Sequence, residues 1–501
     1  MDDRTFVIDE ATVENIHTAM TAGKVTCRQL VEHFLKRIDA YDQKGPALNA
    51  IICTNPKALE EADALDRKFK ENGRTGPLHG IPVLLKDNVD TSDMPTTAGS
   101  KSLEGFYPET DAFITRKFRE AGALILAKTN LHEFAIWGET ISSILGQTLN
   151  PYDLKRTPGG SSGGTGAAVA ANFGSVGIGT DTINSIRSPA SANNLVGIRP
   201  TIGLVSRGGV VPYSFTQDTA GPITRTVEDG ARVLDVISGY DKNDDETAWS
   251  AGKIPPSYLP YLKKDGLNGK RLGVLESFFG TKEIHKEVNT AVRNSIQIMK
   301  DNGADVVTVG DNIDSGWMVN EVSVHLYDLK AHLNVYLNAL GPKAPVHSVE
   351  EVLASGMYHP GIEENLKKAM SLDVDTPDYN KRIIERSRVR TRVMKLIADY
   401  SLDALVFPHQ KQLVCFVGKS QDERNGVLGS VTGFPSIAMP AGFSKPTESA
   451  PIGVPVGIEI LGRPWSEPTL IEIAYSFEKA ANFRKTPVST SADPHFPPRQ
   501  R

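Results

Sequence analysis

Two serine-bearing, glycine-rich loops lie close together in this chain. The first is Pro158-Gly-Gly-Ser-Ser-Gly-Gly-Thr-Gly166 and the second is Gly179-Thr-Asp-Thr-Ile-Asn-Ser-Ile-Arg-Ser-Pro189. A serine hydroxyl becomes a nucleophile when a neighbouring base takes its proton. Unpaired N–H groups of a glycine-rich loop at a helix start favour an anion, whether a phosphate or a developing oxyanion. The two loops therefore suit phosphate binding or acyl transfer. Three readings of the first loop compete. A flexible Gly/Ser linker would not enclose the dense Ala/Val run that follows Thr165. A phosphate loop needs Gly-Lys-Ser/Thr after its glycines, and no lysine stands there. Gly160-Ser-Ser162-Gly-Gly164 matches the hydrolase nucleophile elbow by letter. That elbow follows a strand, however, and Asp153-Leu-Lys-Arg-Thr-Pro158 reads as a loop.

Both loops must be held by rigid elements. Thr165 to Phe173 is small and apolar and predicts a buried helix opened by the first loop. Gly174 to Thr180 predicts a buried strand that delivers the second, so Ser161, Ser162 and Ser185 can face one cavity. Ile81 to Leu85 predicts another buried strand, ending in Lys86-Asp87-Asn88. Taken alone, a lysine at a strand end beside an aspartate reads as a surface Lys86–Asp87 pair.

The first 75 or so residues read as helices by apolar spacing, with Thr26-x-x-Gln29 as a capping box and Gly23 and Gly73 as stops. Further along, helical and strand patterns alternate. Helices are expected over 111–121, 226–237, 284–299 and 469–481, and strands over 123–127, 271–275, 306–309, 402–407, 436–439 and 456–461. Such alternation argues for an α/β fold: one central mixed sheet containing parallel strands, covered by helices on both faces. Neither linker candidate, 250–270 or 444–454, separates two cores, so residues 1–501 read as a single domain.

The chain has 501 residues, 40% of them hydrophobic and 23% charged, with a net charge of −5. Nothing basic argues for a nucleic-acid partner. Cys27, Cys53 and Cys415 are too widely spaced for a disulfide framework or a metal site, which suits a reduced setting. The N-terminal Met-Asp-Asp-Arg-Thr-Phe lacks an apolar signal core, and no apolar run approaches the ~20 residues of a membrane span. A cytoplasmic location is the expectation.

The paired loops resemble those of the amidase signature family, whose pattern is a Gly-Gly-Ser-Ser-Gly-Gly-Ser block followed by a Gly-Thr-Asp-x-Gly-Gly-Ser-Ile-Arg block. Gly80-Ile-Pro-Val-Leu-Leu-Lys-Asp-Asn88 resembles the family's lysine motif, and Gly457-Ile-Glu-Ile-Leu-Gly-Arg-Pro464 its C-terminal strand. The resemblance covers nearly the whole chain. It implies the amidase signature fold: a 1–75 helical scaffold, a 76–240 catalytic core, and a variable 310–425 region that helps build the substrate pocket. That region holds Trp317, His325, Tyr327, His332, Tyr336, Met357, Tyr358, His359 and His409.

The resemblance also implies the chemistry, hydrolysis of a carboxylic amide through a serine acyl-enzyme. Ser185 is the nucleophile. Ser161, preceded by a cis peptide, relays the proton. Lys86 is the base, which returns the proton to the leaving amine. The N–H groups of Thr182, Ile183, Asn184 and Ser185 form the oxyanion hole, with Ser162, Asp181 and Arg187 in support. No cofactor and no metal are implied. The expected partner is a small-molecule amide, and a homodimer is left open. For a lysine with an ordinary pKa of ~10.4 to act as a base, burial without a carboxylate must lower that value. One departure stands out: the family has Gly-Gly before the nucleophile, and Ile183-Asn184 stands here. Ile183 should narrow the cavity, Asn tolerates a positive φ, and Asn184 would add a donor near the scissile carbonyl. Other readings remain. One is an A-type subunit of a glutamyl-tRNA amidotransferase, another an esterase or aryl-amide hydrolase of the same family. A Ser-His-Asp hydrolase on Ser162 would need a histidine such as His325, His332, His359 or His409. A binding protein without catalysis is the last.

Overall fold

The computed structural model describes residues 6–491. The first five residues of the N-terminal stretch, and the ends of the domain assigned to 1–501, lie outside them. Among the described residues, thirteen strands occur in chain order: β1 (Ile51–Thr54), β2 (Pro82–Lys86), β3 (Leu124–Thr129), β4 (Ile141–Ser142), β5 (Gly146–Gln147), β6 (Val176–Asp181), β7 (Val196–Arg199), β8 (Thr219–Thr224), β9 (Arg271–Leu275), β10 (Asp305–Val309), β11 (Ala404–Pro408), β12 (Ser436–Phe443) and β13 (Pro455–Leu461). β4 and β5 form a small hairpin. The other strands make one 11-stranded sheet in the order β1-β3-β2-β6-β8-β7-β12-β13-β11-β9-β10.

The sheet is mixed, as expected. β2 runs parallel to β3 and β6, and β9 runs parallel to β10 and β11. Antiparallel pairs join these two groups through β8, β7, β12 and β13. Both faces carry helices, and β7 shows how. A Cβ at Gly197 would meet Ala190 of the helix Arg187–Ala192, whereas its neighbour Ile198 packs against Gly230 of the helix Val227–Ile237. Successive residues of a strand point to opposite faces, so the two helices lie on opposite sides of the sheet. β2, β3 and β6 are buried along their whole length. Near-continuous apolar runs are what two covered faces demand.

The N-terminal stretch is not wholly helical. Helices Val13–Thr21, Cys27–Tyr41 and Ala58–Asn72 match the apolar spacing, and Thr26 and Gln29 form a reciprocal capping box. Between them Ile51–Thr54 is an edge strand, antiparallel to β3. Its four residues are too few for periodicity to distinguish strand from helix.

Two features of the sheet position the site. β2 and β6 are adjacent and parallel, with Leu85 opposite Ile178. Lys86 and the loop after Thr180 therefore emerge at the same, carboxyl edge, where open α/β sheets place their ligands. The helix Gly163–Ala170, buried throughout, crosses back over β2 and β6 and returns its own start to that edge. The approach is tight: a Cβ at Gly179 would lie 2.8 Å from Ser162 Oγ, and one at Gly177 2.4 Å from Thr165. Only glycine allows the helix start to sit so close to the strand.

Candidate active site

Lys86 is fully buried at the end of β2. Its Nζ lies 2.8 Å from Ser161 Oγ and 2.8 Å from Thr180 Oγ1. Among the described residues, no carboxylate pairs with it. Asp87 instead faces away, 3.1 Å from the buried Lys128 and bonded to Thr97. The surface Lys86–Asp87 pair is therefore overturned: consecutive strand residues point to opposite sides, and each of these two finds its own buried partner. Burial pushes the Lys86 amine down to about 7, against the attraction of Asp181 and Asp218. Thr180 Oγ1 also accepts from Asn88 Nδ2 at 3.1 Å. With an N–H of neutral Lys86 directed to Thr180, the amine's lone pair is free for the Ser161 proton.

The Gly160–Ser161 peptide is cis. The two serine loops run side by side, with Ser162 N–H donating to the Ser185 carbonyl at 3.3 Å. Ser162 Oγ is bonded at both ends of one residue: it donates to Thr180 O at 3.1 Å and accepts from Thr180 N–H at 3.2 Å. It is a brace between the helix start and β6, and is not free as a nucleophile.

Ser185 is 6% exposed and opens onto a cavity of about 590 Å³ that Thr182, Ile183 and Asn184 also line. Among the described residues, the backbone N–H groups of Ile183, Asn184 and Ser185 have no hydrogen-bond partner. Asn184 Nδ2 is buried and equally unpaired. Neither Ile183 nor Asn184 takes a positive φ, so the loop keeps its path without glycine and the tolerance of Asn for that region is not used. Ile183 does line the cavity, where it belongs to the apolar cluster that also holds Val427 and Leu428.

The loop is fixed from behind by a buried ionic network. Asp181 accepts from Arg187 Nε and Nη2, each at 3.0 Å, and from Arg199 Nη1 at 2.8 Å. Arg187 also donates to Glu459 and, at 2.9 Å, to the Ile183 carbonyl. Glu459 in turn accepts from His409 Nδ1 at 2.8 Å. Burial works against the charge on Asp181, but Arg187 and Arg199 hold its carboxyl well below the usual range. The Asp181–Arg187 pair was legible in the motif. Arg199 ends β7, Glu459 lies on β13 and His409 follows β11, and of these only Glu459 stood in a motif already noted.

Of the aromatic and histidine residues in 310–425, His325 and Tyr327 line the cavity. Others are engaged elsewhere: Tyr336 donates to Asp90 at 2.8 Å, and His409 is fully buried against Glu459. The hydrogen bonds of Ser162 include no histidine, so the Ser-His-Asp reading has no base at that serine. Sequence reasoning missed Trp137 and Tyr213, which also reach the cavity; the 420–424 stretch that joins them lies within the 310–425 region. Among the described residues, no group of three or more His, Cys, Asp or Glu side chains is arranged to hold a metal ion. No helix among them is long and apolar enough to cross a membrane.

The amidase family profile matches residues 29–471. The chain belongs to the amidase family. A probable amidase of Arabidopsis thaliana is 37% identical over 96% of this chain and 92% of its own length. The A-type subunit of the glutamyl-tRNA(Gln) amidotransferase from Thermoanaerobacter pseudethanolicus is 33% identical over 95% of this chain and 97% of its own. Among solved structures, the native peptide amidase of Stenotrophomonas maltophilia superposes with a TM-score of 0.87 at 38% identity, covering 96% of this amidase and 98% of that chain. An amidase family protein of Bacillus anthracis gives 0.84 at 31% identity, covering 96% and 92%. The amidase fold, one large mixed sheet flanked by helices, is thus shared with these enzymes.

Proposed function

We propose that this amidase hydrolyses a carboxylic amide through an acyl-enzyme on Ser185, with Ser161 and Lys86 as the proton path. The observation that carries the reading is the Lys86 amine, buried 2.8 Å from Ser161, lowered toward its neutral form and, among the described residues, paired with no carboxylate. Lys86 takes the Ser161 proton as Ser161 takes that of Ser185, and Ser185 Oγ bonds to the amide carbon. The oxyanion is met by the free N–H groups of the Thr182–Ser185 turn, with Asn184 Nδ2 as an added donor. The proton then returns from Lys86 through Ser161 to the leaving nitrogen, and water clears the ester. Asp181, Arg187 and Ser162 hold the two loops in place. Residues 310–425 serve as the substrate-selecting region, supported by Ser315, His325, Tyr327 and Lys368 on the cavity. Peptide amides are a substrate class to try, given the likeness to a peptide amidase, alongside small carboxamides and anilides.

The test is direct. Purified protein should release acid and amine from aryl amides and from N-acylated amino-acid amides. A serine-reactive fluorophosphonate should label Ser185, identified by peptide mass spectrometry. Failure of both, or labelling at another serine, overturns the reading.

A pH profile gives a second check. The base must be neutral, so kcat/KM should rise about tenfold per pH unit below the Lys86 pKa of about 7 and level off above it. A flat profile from pH 5 to 9 would remove Lys86 from the proton path.

The likeness to amidotransferase A-type subunits supports a second reading, in which the chain works with partner subunits on a charged tRNA. The Ile183-Asn184 departure and the divergent 310–425 stretch weigh against it. Affinity capture from its native cells that returns stoichiometric partners, with no amide hydrolysis by the isolated chain, would favour that reading.

A further inference from the structure

A chain of hydrogen bonds leads from the Ser185 loop to one cavity-lining histidine, and it fixes which nitrogen of that ring carries the proton. Gln217 Nε2 donates to the Thr182 carbonyl at 3.2 Å. Its Oε1 accepts from Val324 N–H at 2.9 Å and lies 3.0 Å from Ser323 Oγ. A carbonyl on one side and an N–H on the other leave the Gln217 amide only one orientation. Ser323 has a single hydroxyl proton, and Gln217 Oε1 can only accept it. Ser323 Oγ must then accept from its other neighbour, His325 Nδ1, 2.6 Å away. Neutral His325 is therefore protonated on Nδ1, and its Nε2 bears a lone pair. Among the described residues, Nε2 has no protein partner, and His325 lines the cavity. Partial burial of the ring disfavours its charged form, and the positive charges of Arg424, Arg382 and Lys368 oppose protonation further, so its pKa falls to about 3. The ring packs edge-on to Tyr213, with centroids 5.3 Å apart. The Tyr213 hydroxyl is buried, lines the same cavity, and is also without a partner.

We propose that His325 is a specificity residue that accepts a hydrogen bond from an N–H on the acyl side of the substrate, with the Tyr213 hydroxyl donating to the carbonyl attached to that N–H. This rests on the reading of Ser185 and its cavity as the amide-hydrolysing site. An acceptor held in one tautomer discriminates by penalty. A substrate with oxygen in place of that N–H sets two lone pairs against each other, and a buried polar group left unpaired costs far more than an ordinary contact gains. The loops alone do not supply this selectivity, because their donors address the scissile carbonyl.

The experiment compares two substrates that differ at one atom: N-acetylphenylalaninamide and its ester isostere, 2-acetoxy-3-phenylpropanamide. Both carry the same scissile carboxamide, and ammonia release reads both. The wild type should favour the N–H substrate in kcat/KM by about tenfold or more. His325→Phe should bring the two within about twofold, mainly through KM of the N–H substrate. Ser323→Ala, which frees the tautomer but leaves the ring, should give a smaller loss of the same preference. Fluorophosphonate labelling of Ser185 should persist in both variants, reporting an intact site. Preference unchanged in His325→Phe with labelling intact, or no preference in the wild type, overturns the proposal. Absence of both turnover and labelling in the wild type would instead overturn the serine reading, and this proposal with it.

Discussion

Ser185→Ala is expected to lower kcat on any amide substrate by roughly ten-thousandfold, and Lys86→Met by nearly as much. The double variant should be little worse than either single one, because a nucleophile without its base and a base without its nucleophile are equally idle. The two variants should differ in stability. Ser185→Ala removes one small hydroxyl at the edge of a cavity and should be near neutral. Lys86→Met removes an amine that folding must strip of its proton. In the unfolded chain this amine titrates at its ordinary value, and in the folded protein at about 7. Between those two values the unfolded chain holds a proton the folded one lacks, so stability rises with pH across that window. Below about pH 7 both states are protonated and the full penalty of burying the ammonium applies. At pH 8 the penalty is still about 3 kcal/mol. Lys86→Met should therefore raise the urea midpoint, most at low pH, less the loss of the contacts to Ser161 and Thr180. An inactive but more stable variant is the signature of a residue kept for chemistry. A Lys86→Met protein that unfolds more readily than the wild type at pH 6 would contradict the account.

Arg187→Met should be the most damaging single change away from the reacting groups. Its guanidinium is fully buried and joins Asp181, Glu459, the Ile183 carbonyl and the Gly426 carbonyl. A buried pair as a whole gives modest net stability, but removing one partner strands the other as an unpaired charge. Here two carboxylates would be affected, Asp181 keeping Arg199 and Glu459, among the described residues, keeping only His409. The expected cost is about 3–5 kcal/mol, read as a fall in the urea midpoint. Activity should fall as well, because the Ile183 carbonyl loses one of its two donors, keeping the Ser430 hydroxyl at 2.5 Å, and the turn before Ser185 is held less firmly. Arg187→Lys should recover little, since one ammonium cannot reproduce a planar fork with this many partners. A loss below about 1 kcal/mol for Arg187→Met would show that the network is not what holds the loop.

The groups proposed to react were readable because their signals are local. Lys86 ends an apolar run, Ser161 and Ser185 sit in glycine-rich loops, and the spacing between those loops is one helix and one strand. The Thr26–Gln29 capping box was readable for the same reason, as both partners lie within one turn. β7 and β8 were not. Val196-Gly-Ile-Arg199 and Thr219-Ala-Gly-Pro-Ile-Thr224 carry Gly and Pro that suggest turns, yet both strands are buried because helices press on them and small residues fit beneath. The cavity wall was legible only as a region, 310–425, and not residue by residue, for a different reason. Ala135 to Trp137, Tyr213, Ser315 to Tyr327, Glu364 to Arg382 and Ser420 to Arg424 meet only after the sheet forms. No periodicity records that meeting. The tautomer of His325 depends on Gln217 and Thr182, more than a hundred residues upstream.

The placement of β10 and β11 has a consequence for diversification. Both flank β9, so the long segment between them leaves and rejoins the sheet with one strand intervening, far along the strand order from β2 and β6. Two parts of that segment, within Ser315 to Tyr327 and Glu364 to Leu372, line the cavity onto which Ser185 opens, whereas its last helix, Pro377–Asp399, is anchored by Val389, Val393 and Ile397 to the cluster under β11. The anchored helix fixes one end of the segment, and the stretch before it packs on Ala98, Leu103, Phe134 and Val211. If this segment selects the acyl group as proposed, exchanging residues 314–375 for a relative's, together with those four contacts, should change acyl preference while leaving Lys86, Ser161 and Ser185 where they are.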